Sequence, residues 1–431
     1  MTAAIRILGV LDNGPESLTP MAKSWLEGAD LVLGEARFLE LYASLMAKSA
    51  EKRPFSGKIV QVPLWLEEAR GLGRQVVVLA TGDPLFFGLA GYLAQKLPPG
   101  SFEVQCQVSS MQLAFARLAR PWSEARWLSV HARDGGDWHP RADFDHPLYP
   151  LWRALNQASL LGVLTSPANN PARLARMLVA LGLEHAWTMT VCQRLGMADE
   201  TIEREVNLLQ GGERVFLDPN VVILEQRGPS PYERWPKFGL PDEVFQKKVF
   251  KKGLITRREV RAIALAYMEI IDGEIVWDIG AGSGSVGLEA AALTPGGQVW
   301  SIEKNADSVD HILANRARLG RYNHRIQCGI APNGLEHWPD PDAVFIGGSG
   351  GALESLIGLV LERLRNRGRL VINLVTLEHL TRTLACLDRL GQSWRLTQTG
   401  CAIGQPLLHL HRLEAQAPVW IITVIKESGS S

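Results

Sequence analysis

The stretch VWDIGAGSGSVGLEAA, residues 276–291, followed by QVWSIEKN, residues 298–305, decides the reading of this chain. An apolar strand expected over 274–279 runs into Gly280, Gly282 and Gly284, and then into a helix. Glycines remove side chains where a backbone must turn tightly and come close to a ligand. The helix start presents free N–H groups and the positive end of its dipole. Glu303 closes the next strand 19 residues after Gly284, a spacing that suits a carboxylate accepting hydrogen bonds from ribose hydroxyls. A ligand with an adenosine end and an anionic or carboxylate end fits this design.

Two ligand classes share it. Residues 282–287 satisfy G-x-G-x-x-G, which alone points to a dinucleotide. Asp278, however, stands just before the first glycine, and D-x-G-x-G-x-G is the S-adenosylmethionine version of the loop. The strands expected downstream, at 298–303, 325–328, 343–347, 369–375, 394–399 and 419–426, make seven with the first. The last pair is joined without a helical pattern, which predicts a closing hairpin and an antiparallel edge strand. These features favour S-adenosylmethionine over a nicotinamide or flavin nucleotide, with a purely structural glycine turn as the third reading. The expected cofactor contacts here are Asp278, Gly280, Ala281, Gly282, Ser283, Gly284 and Glu303.

Bulk composition narrows the class. At 431 residues the chain is long enough for two to three domains. Apolar residues make up 46%, and Lys+Arg and Asp+Glu are 45 each, so no net field draws it to nucleic acid or a membrane. No charged segment followed by a long apolar core stands at the start, and apolar runs such as 419–425 are too short to span a bilayer. The five cysteines lack C-x-x-C spacing, which argues for a reducing compartment and against a disulfide frame or zinc site. A cytoplasmic homo-oligomer without metal, acting on a small molecule, is expected.

The stretch GPSPYERWPKFGLP, residues 228–241, carries four prolines and blocks helix and central strand alike. It predicts two separable folding units, residues 1–237 and 238–431. The first alternates strands (5–11, 31–33, 59–62, 76–80, 102–106) with helices (20–28, 85–96) in a subdomain over about 1–120. A second α/β subdomain over about 145–227 carries strands at 160–165, 188–193 and 221–225. Residues 134–150, rich in Asp, His, Gly and Pro, read as a loop between the two subdomains. The tail 427–431 is expected to fray.

In the first unit LATGDPLFFG, residues 79–88, opens an apolar strand into a Gly-Asp-Pro turn, a plausible ligand-binding edge or simply an Asp cap on a following helix. This segment resembles the corresponding motif of the tetrapyrrole (corrin) methylases. The resemblance continues in ILGVLDNGPESLTP (7–20), VSSMQLAFARL (108–118), LTSPANNPARLARML (164–178) and FLDPNVVILE (216–225). The second unit, in GLITRREVRAIAL (253–265), WDIGAGSGSVGLEAA and AVFIGGSGG (343–351), resembles the methyltransferase that also decarboxylates a corrin precursor. The fused order resembles the family of precorrin-6Y C5,15-methyltransferases (decarboxylating).

That resemblance implies a two-subdomain tetrapyrrole methylase fold followed by a seven-stranded Rossmann-like S-adenosylmethionine methyltransferase domain, each with its own cofactor site. It implies methylation of a precorrin at C5 by the first unit. The second would methylate C15 and remove CO2 from the C12 acetate, within cobalamin biosynthesis. It carries Thr256 and Ala331 to the cofactor side of the second unit, and Gly9, Gly82, Asp83 and Ser110 to the cofactor edge of the first. For Ser110 a helix N-cap is the alternative. The chain departs from its relatives at Leu11, where a second glycine is usual, at Cys106-Gln107, where a proline is usual, and at Ile330, where a polar or acidic residue is usual.

Methyl transfer from a sulfonium to carbon needs chiefly alignment and exclusion of water, so few residues should be chemically indispensable. Decarboxylation needs an electron sink and a general acid. Glu259 is a candidate, with a solvated first-turn carboxylate as the alternative. Arg257 and Arg258 are candidates to pair with the acetate and propionate groups of the substrate, or form a solvated helix face. His131, in VHAR, is a candidate proton shuttle or a structural histidine. Gly348, Ser349 and Gly350 stand where amino-methyltransferases of nucleic acids carry an Asp/Asn-Pro-Pro-aromatic motif, and leave room for a large flat substrate or form a flexible turn.

Overall fold

A computed structural model describes residues 5–232, 235–246 and 255–427. Glu233 and Arg234 of the proline-rich stretch, Gly253 and Leu254 of the GLITRREVRAIAL motif, and residues 428–431 of the tail lie outside them. The chain divides into two compact units: Met1–Asp137 with Pro150–Gly228, and Trp138–Tyr149 with Pro229–Ser431.

The first unit holds two sheets. β1 (Ile5–Val10), β2 (Leu31–Gly34), β3 (Glu51–Pro54), β4 (Val76–Thr81) and β5 (Phe102–Gln105) pair in the order β3-β2-β4-β1-β5. All pairings are parallel. β1 and β4 are nearly continuous apolar runs because helices cover both faces, and separate clusters of buried side chains lie on the two sides. The second sheet contains β6 (Arg126–Ser129), β7 (Leu160–Leu164), β8 (Trp187–Gln193), β9 (Thr201–Glu203) and β10 (Asn220–Gln226), in the order β6-β7-β10-β8-β9. Only β6 and β7 pair parallel there.

Two expected elements are corrected. Residues 59–62 form a 3-10 turn, Ile59–Gln61, that leads into the helix Val62–Gly71, with Pro63 in its first turn. A short apolar run does not distinguish strand from helix, and a proline beside it favours a helix start. The true edge strand is the charged β3, which has no apolar pattern to reveal it. The helix expected over 85–96 begins only at Leu89. Ahead of it the Asp83 Oδ1 accepts from the Leu85 N–H at 2.9 Å, and Phe87 has a φ of 52° that no helix admits.

The second unit is built on β11 (Ile275–Ile279), β12 (Gln298–Glu303), β13 (His324–Cys328), β14 (Ala343–Ile346), β15 (Arg369–Leu374), β16 (Trp394–Thr399), β17 (Ala402–Leu407), β18 (Leu410–Ala415) and β19 (Val419–Ile425). The main sheet has the order β13-β12-β11-β14-β15-β19-β16, seven strands. β19 alone runs antiparallel to its neighbours, and it lies between β15 and β16 rather than at the edge. The connection from β16 to β19 is itself a hairpin, β17–β18, whose residues are almost wholly exposed. An exposed strand pair is not marked by burial alternation, so the sequence pattern passed over it.

Residues 138–149, expected as a loop between subdomains, pack within the second unit. Arg325 of β13 donates to both oxygens of Asp143, at 2.8 Å each, and pairs with Asp145. Its guanidinium lies 4.3 Å from the centre of the Phe144 ring and 4.7 Å from that of Trp300. Trp138 meets Tyr322 edge-on with ring centres 5.0 Å apart. Burial acts to raise the Asp143 carboxyl, but the Arg325 bonds outweigh it and hold it below the usual carboxylate range.

Arg325→Ala should therefore destabilise this unit by about 1 kcal/mol or more, because a bidentate pair stacked on aromatics exceeds an ordinary surface pair. The loss should be full above a pH of about 4 and shrink as the pH falls through the depressed Asp143 value. Urea unfolding of variant and parent at neutral and acid pH measures both, and equal curves at neutral pH would remove Arg325 from the account.

Candidate active site

β11 delivers the chain into Gly280–Gly284, a turn in which Gly280, Gly282 and Gly284 have φ of 74°, 59° and 74°. At Gly280 the constraint is steric as well as conformational. A β-carbon there would lie 2.4 Å from the Gly348 carbonyl oxygen. The turn after β11 thus presses directly on the turn after β14. Glu303, at the end of β12, holds the loop from the other side. Its Oε2 accepts from the Gly282 N–H at 2.9 Å and its Oε1 from the Asn305 N–H at 3.0 Å. Glu303 is 7% exposed.

Asp278 sits beneath the turn, 1% exposed, and does not line the cavity described below. Its Oδ2 accepts from the Gly287 N–H at 3.0 Å and from the Ser301 hydroxyl at 3.4 Å; that hydroxyl is also 2.6 Å from His324 Nε2. Burial pushes the Asp278 carboxyl up to about 7 and His324 down to about 3. A β-carbon on Gly287 would lie 2.8 Å from both Asp278 Oδ2 and Ser301 Oγ. The third glycine of the G-x-G-x-x-G match therefore serves this helix–sheet contact. Ser283 and Gly284 likewise stay out of the cavity: Ser283 is buried, and Gly284 caps the helix Ser285–Leu293 against Ile312.

A cavity of about 450 Å³ opens at the C-terminal ends of β11, β12, β14 and β15. It gathers Thr256, Arg257, Glu259, Gly280, Ala281, Gly282, Glu303, Ala331, Gly348, Ser349 and Gly350. Arg258 is exposed and is not among its lining residues. Thr256 is fixed from behind. Arg261, fully buried, donates to the Thr256 carbonyl at 2.6 Å, to Glu289 at 2.8 Å and to Asp242 at 2.9 Å. Glu259 and Arg257 are exposed at the start of the helix Arg258–Met268 while lining the cavity. Ile330 stays 57% exposed on the same wall.

Sequence reasoning missed Lys304, Asn373, Val375, Thr399, Cys401 and Gln416, which also line it. Thr399 ends β16, and Cys401 and Gln416 lie in the β16–β19 connection, which no motif marked. Asn373 carried a signal, a carboxamide inside the apolar run LVINLV of residues 370–375.

In the first unit, the ends of β1, β4 and β5 converge. A β-carbon on Gly9 would lie 2.1 Å from the Gly82 carbonyl oxygen and 2.6 Å from the Gln107 nitrogen. The Gln107 N–H donates to that carbonyl at 3.2 Å, a bond that a proline there could not make. Leu11 is held at both backbone groups by the Tyr42 hydroxyl, 2.7 Å from its carbonyl oxygen and 3.3 Å from its nitrogen. Asp83 borders the same edge beside Cys106, whose thiol desolvation and the Asp83 carboxylate push up to about 11. Ser109, not Ser110, is the N-cap of the helix Ser110–Leu118, in a capping box with Gln112. His131 lies two residues beyond β6, its Nδ1 3.3 Å from the Ser129 hydroxyl; desolvation lowers its pKa.

Comparison with known proteins bears on both units. Residues 5–207 match the family model of the Tetrapyrrole (Corrin/Porphyrin) Methylases, and residues 248–426 match that of the Precorrin methyltransferase domain. A precorrin-6Y C(5,15)-methyltransferase [decarboxylating] from Sinorhizobium sp is 33% identical over 90% of this chain and 89% of its own. One from Mycobacterium tuberculosis is 25% identical over 97% of this chain and 99% of its own. A crystal structure of a precorrin-6Y C5,15-methyltransferase from Geobacter metallireducens, 37% identical, covers 45% of this chain and 100% of that one, with a TM-score of 0.43. The chain belongs to the precorrin-6Y C(5,15)-methyltransferase (decarboxylating) family, fused S-adenosylmethionine-dependent methyltransferases. No helix among the described residues is long and apolar enough to cross a membrane.

Glu303→Ala should weaken S-adenosylhomocysteine binding to the second unit by about 1.5–3 kcal/mol, the worth of hydrogen bonds to a charged group. Because Glu303 also bonds the Gly282 and Asn305 N–H groups, the variant should melt below the parent even without ligand. Calorimetry and thermal melts separate the two effects; unchanged affinity would exclude a ribose contact.

His324, lowered to about 3, adds stability to the ligand-free unit as the pH rises through the acid range, whereas Asp278, with a raised folded value, removes stability as the pH rises from the ordinary Asp value of about 4 through about 7. Asp278→Asn should flatten that dependence, as read from urea midpoints between acid and mildly alkaline pH. A variant with the same pH dependence as the parent would contradict the buried carboxyl.

Proposed function

We propose that this chain methylates a precorrin twice, at C5 by the first unit and at C15 by the second, and removes CO2 from the C12 acetate. The observation that carries the reading is the glycine cradle at Gly280–Gly282 facing a 450 Å³ cavity, in a chain whose two halves match two methylase families. Relatives with the same two-part sequence carry this activity in their names. The enzyme would work in the cytoplasm, as a homo-oligomer, in cobalamin biosynthesis.

The residues present fit S-adenosylmethionine, because the backbone of Gly280, Ala281 and Gly282 lines the cavity beside the buried Glu303 carboxylate. Gly280, Ala281 and Gly282 would hold its methionine part, Glu303 the ribose, and Thr256, Ile330 and Ala331 the remaining wall. When bound, it supplies an electrophilic methyl group. Asp278, Ser283 and Gly284 act one step behind, by shaping the turn. In the first unit Gly9, Gly82, Asp83 and Ser110 would border a second cofactor site.

Toward the substrate, Arg257 would pair with a peripheral carboxylate, and Gly348, Ser349 and Gly350 would leave the strand end open to a flat macrocycle. Arg258, pointing away, drops from this set. Glu259, which lines the cavity, would deliver a proton after CO2 leaves. His131, whose pKa desolvation lowers, would accept the meso proton displaced by methylation in the first unit.

Incubation of the chain with a precorrin-6Y and S-adenosylmethionine, followed by mass spectrometry, should show two methyl groups gained and one CO2 lost. Gly282→Val places a branched side chain at a φ of 59° on the cavity wall. It should yield a product with one methyl gained and CO2 retained. A decarboxylated product from that variant would break the division of labour between the units.

A further inference from the structure

Among the polar side chains that line the cavity, Asn373 has a special state. Neither its Nδ2 nor its Oδ1 has a hydrogen-bond partner, and both atoms are shielded from solvent by protein. It stands one residue from the end of β15, opposite Ile421 of β19. Leaving a buried donor and acceptor unmet costs stability, and a leucine would fill similar space without that cost. Such a group persists where a ligand completes its bonds.

Its place selects the ligand. Glu303 ends β12, and β11, β14 and β15 follow in turn across the sheet. Three strand spacings put Asn373 about 14 Å from the ribose-holding carboxylate, on the far side of the Gly280–Gly348 contact. Besides Asn373, the strand ends of β15, β16 and β19 and the connection between the last two contribute Val375, Thr399, Cys401, Gln416 and Val419 to the lining, none of them charged. The charged lining residues Arg257, Glu259, Glu303 and Lys304 come from the helix start and from the end of β12.

We propose that Asn373 positions the substrate carboxylate that is lost as CO2, with its Nδ2 donating to one carboxylate oxygen; this rests on the function proposed above. The chemistry favours a neutral donor at that point. A carboxylate leaving as CO2 gives up its charge, so a cation beside it would stabilise the ground state more than the transition state. An uncharged amide in a wall without charged side chains orients the group while leaving it poorly solvated. The bond from the acetate methylene to the carboxyl carbon breaks, and its electron pair passes into the conjugated macrocycle. CO2 departs, and a proton delivered from water or Glu259 completes a methyl group at that carbon.

The test uses the full chain with Asn373→Leu and Asn373→Asp. Asn373→Leu should melt at or above the parent temperature and bind S-adenosylhomocysteine as the parent does. Its rate of CO2 release should fall roughly tenfold or more, the worth of a hydrogen bond to a charged group. Asn373→Asp, which sets like charge against the leaving carboxylate, should fall further at neutral pH and recover in part as the pH is lowered. A lower melting temperature with CO2 release intact would mark Asn373 as structural, and weakened S-adenosylhomocysteine binding would place it on the cofactor; either overturns the proposal. If the parent chain itself releases no CO2 from a precorrin, the proposed function fails with it. A working parent with an equally active Asn373→Leu variant defeats the Asn373 assignment alone.

Discussion

The carbonyl oxygen of Gly348 stands 2.4 Å from where a β-carbon of Gly280 would be. That approach fixes the floor of the second unit's cavity. It brings the turns after β11 and β14 together and leaves only backbone between the cofactor wall and the wall of Asn373. The first unit uses the same device on a different sheet, where a β-carbon on Gly9 would meet the Gly82 carbonyl at 2.1 Å. Two unrelated folds thus converge on strand ends crowded so tightly that one residue must be glycine. In both, the crowding lies at the C-terminal edge of parallel strands, where backbone groups are freed from the ladder.

Such crowding needs support from below. In the second unit it comes from buried polar groups that bond one another. Asp278, Ser301 and His324 form a short chain under the helix Ser285–Leu293. Arg261 with Glu289 ties Thr256 and the 239–242 segment to the same layer. Removing one member of such a set leaves its partners buried and unpaired, which costs more than the bond itself was worth. These residues lie off the cavity surface and shape it nonetheless.

The parts of this arrangement that were legible in the sequence are those with local signatures. The glycine turn, Glu303 and the parallel strands all announce themselves through spacing and apolar runs. Asp278 was legible as a residue but not as a role, since a carboxylate before a glycine turn reads the same whether it faces the ligand or the core. β3 and the β17–β18 hairpin escaped because charged or exposed strands lack a burial pattern. Residues 138–149 escaped for a different reason. Their partners, Arg325, Trp300 and Tyr322, lie more than a hundred positions away, and no local pattern encodes such a contact. Asn373 could have been found, because a lone carboxamide in a buried strand is costly unless something binds it.

A crystal structure of the full chain with S-adenosylhomocysteine tests the central claim most directly. The account predicts ligand density against Gly280–Gly282, with the ribose hydroxyls on Glu303 and the thioether sulfur facing the β14–β15 side of the cavity. Density for the ligand elsewhere in the second unit, with Glu303 bonded only to Gly282 and Asn305, would contradict it.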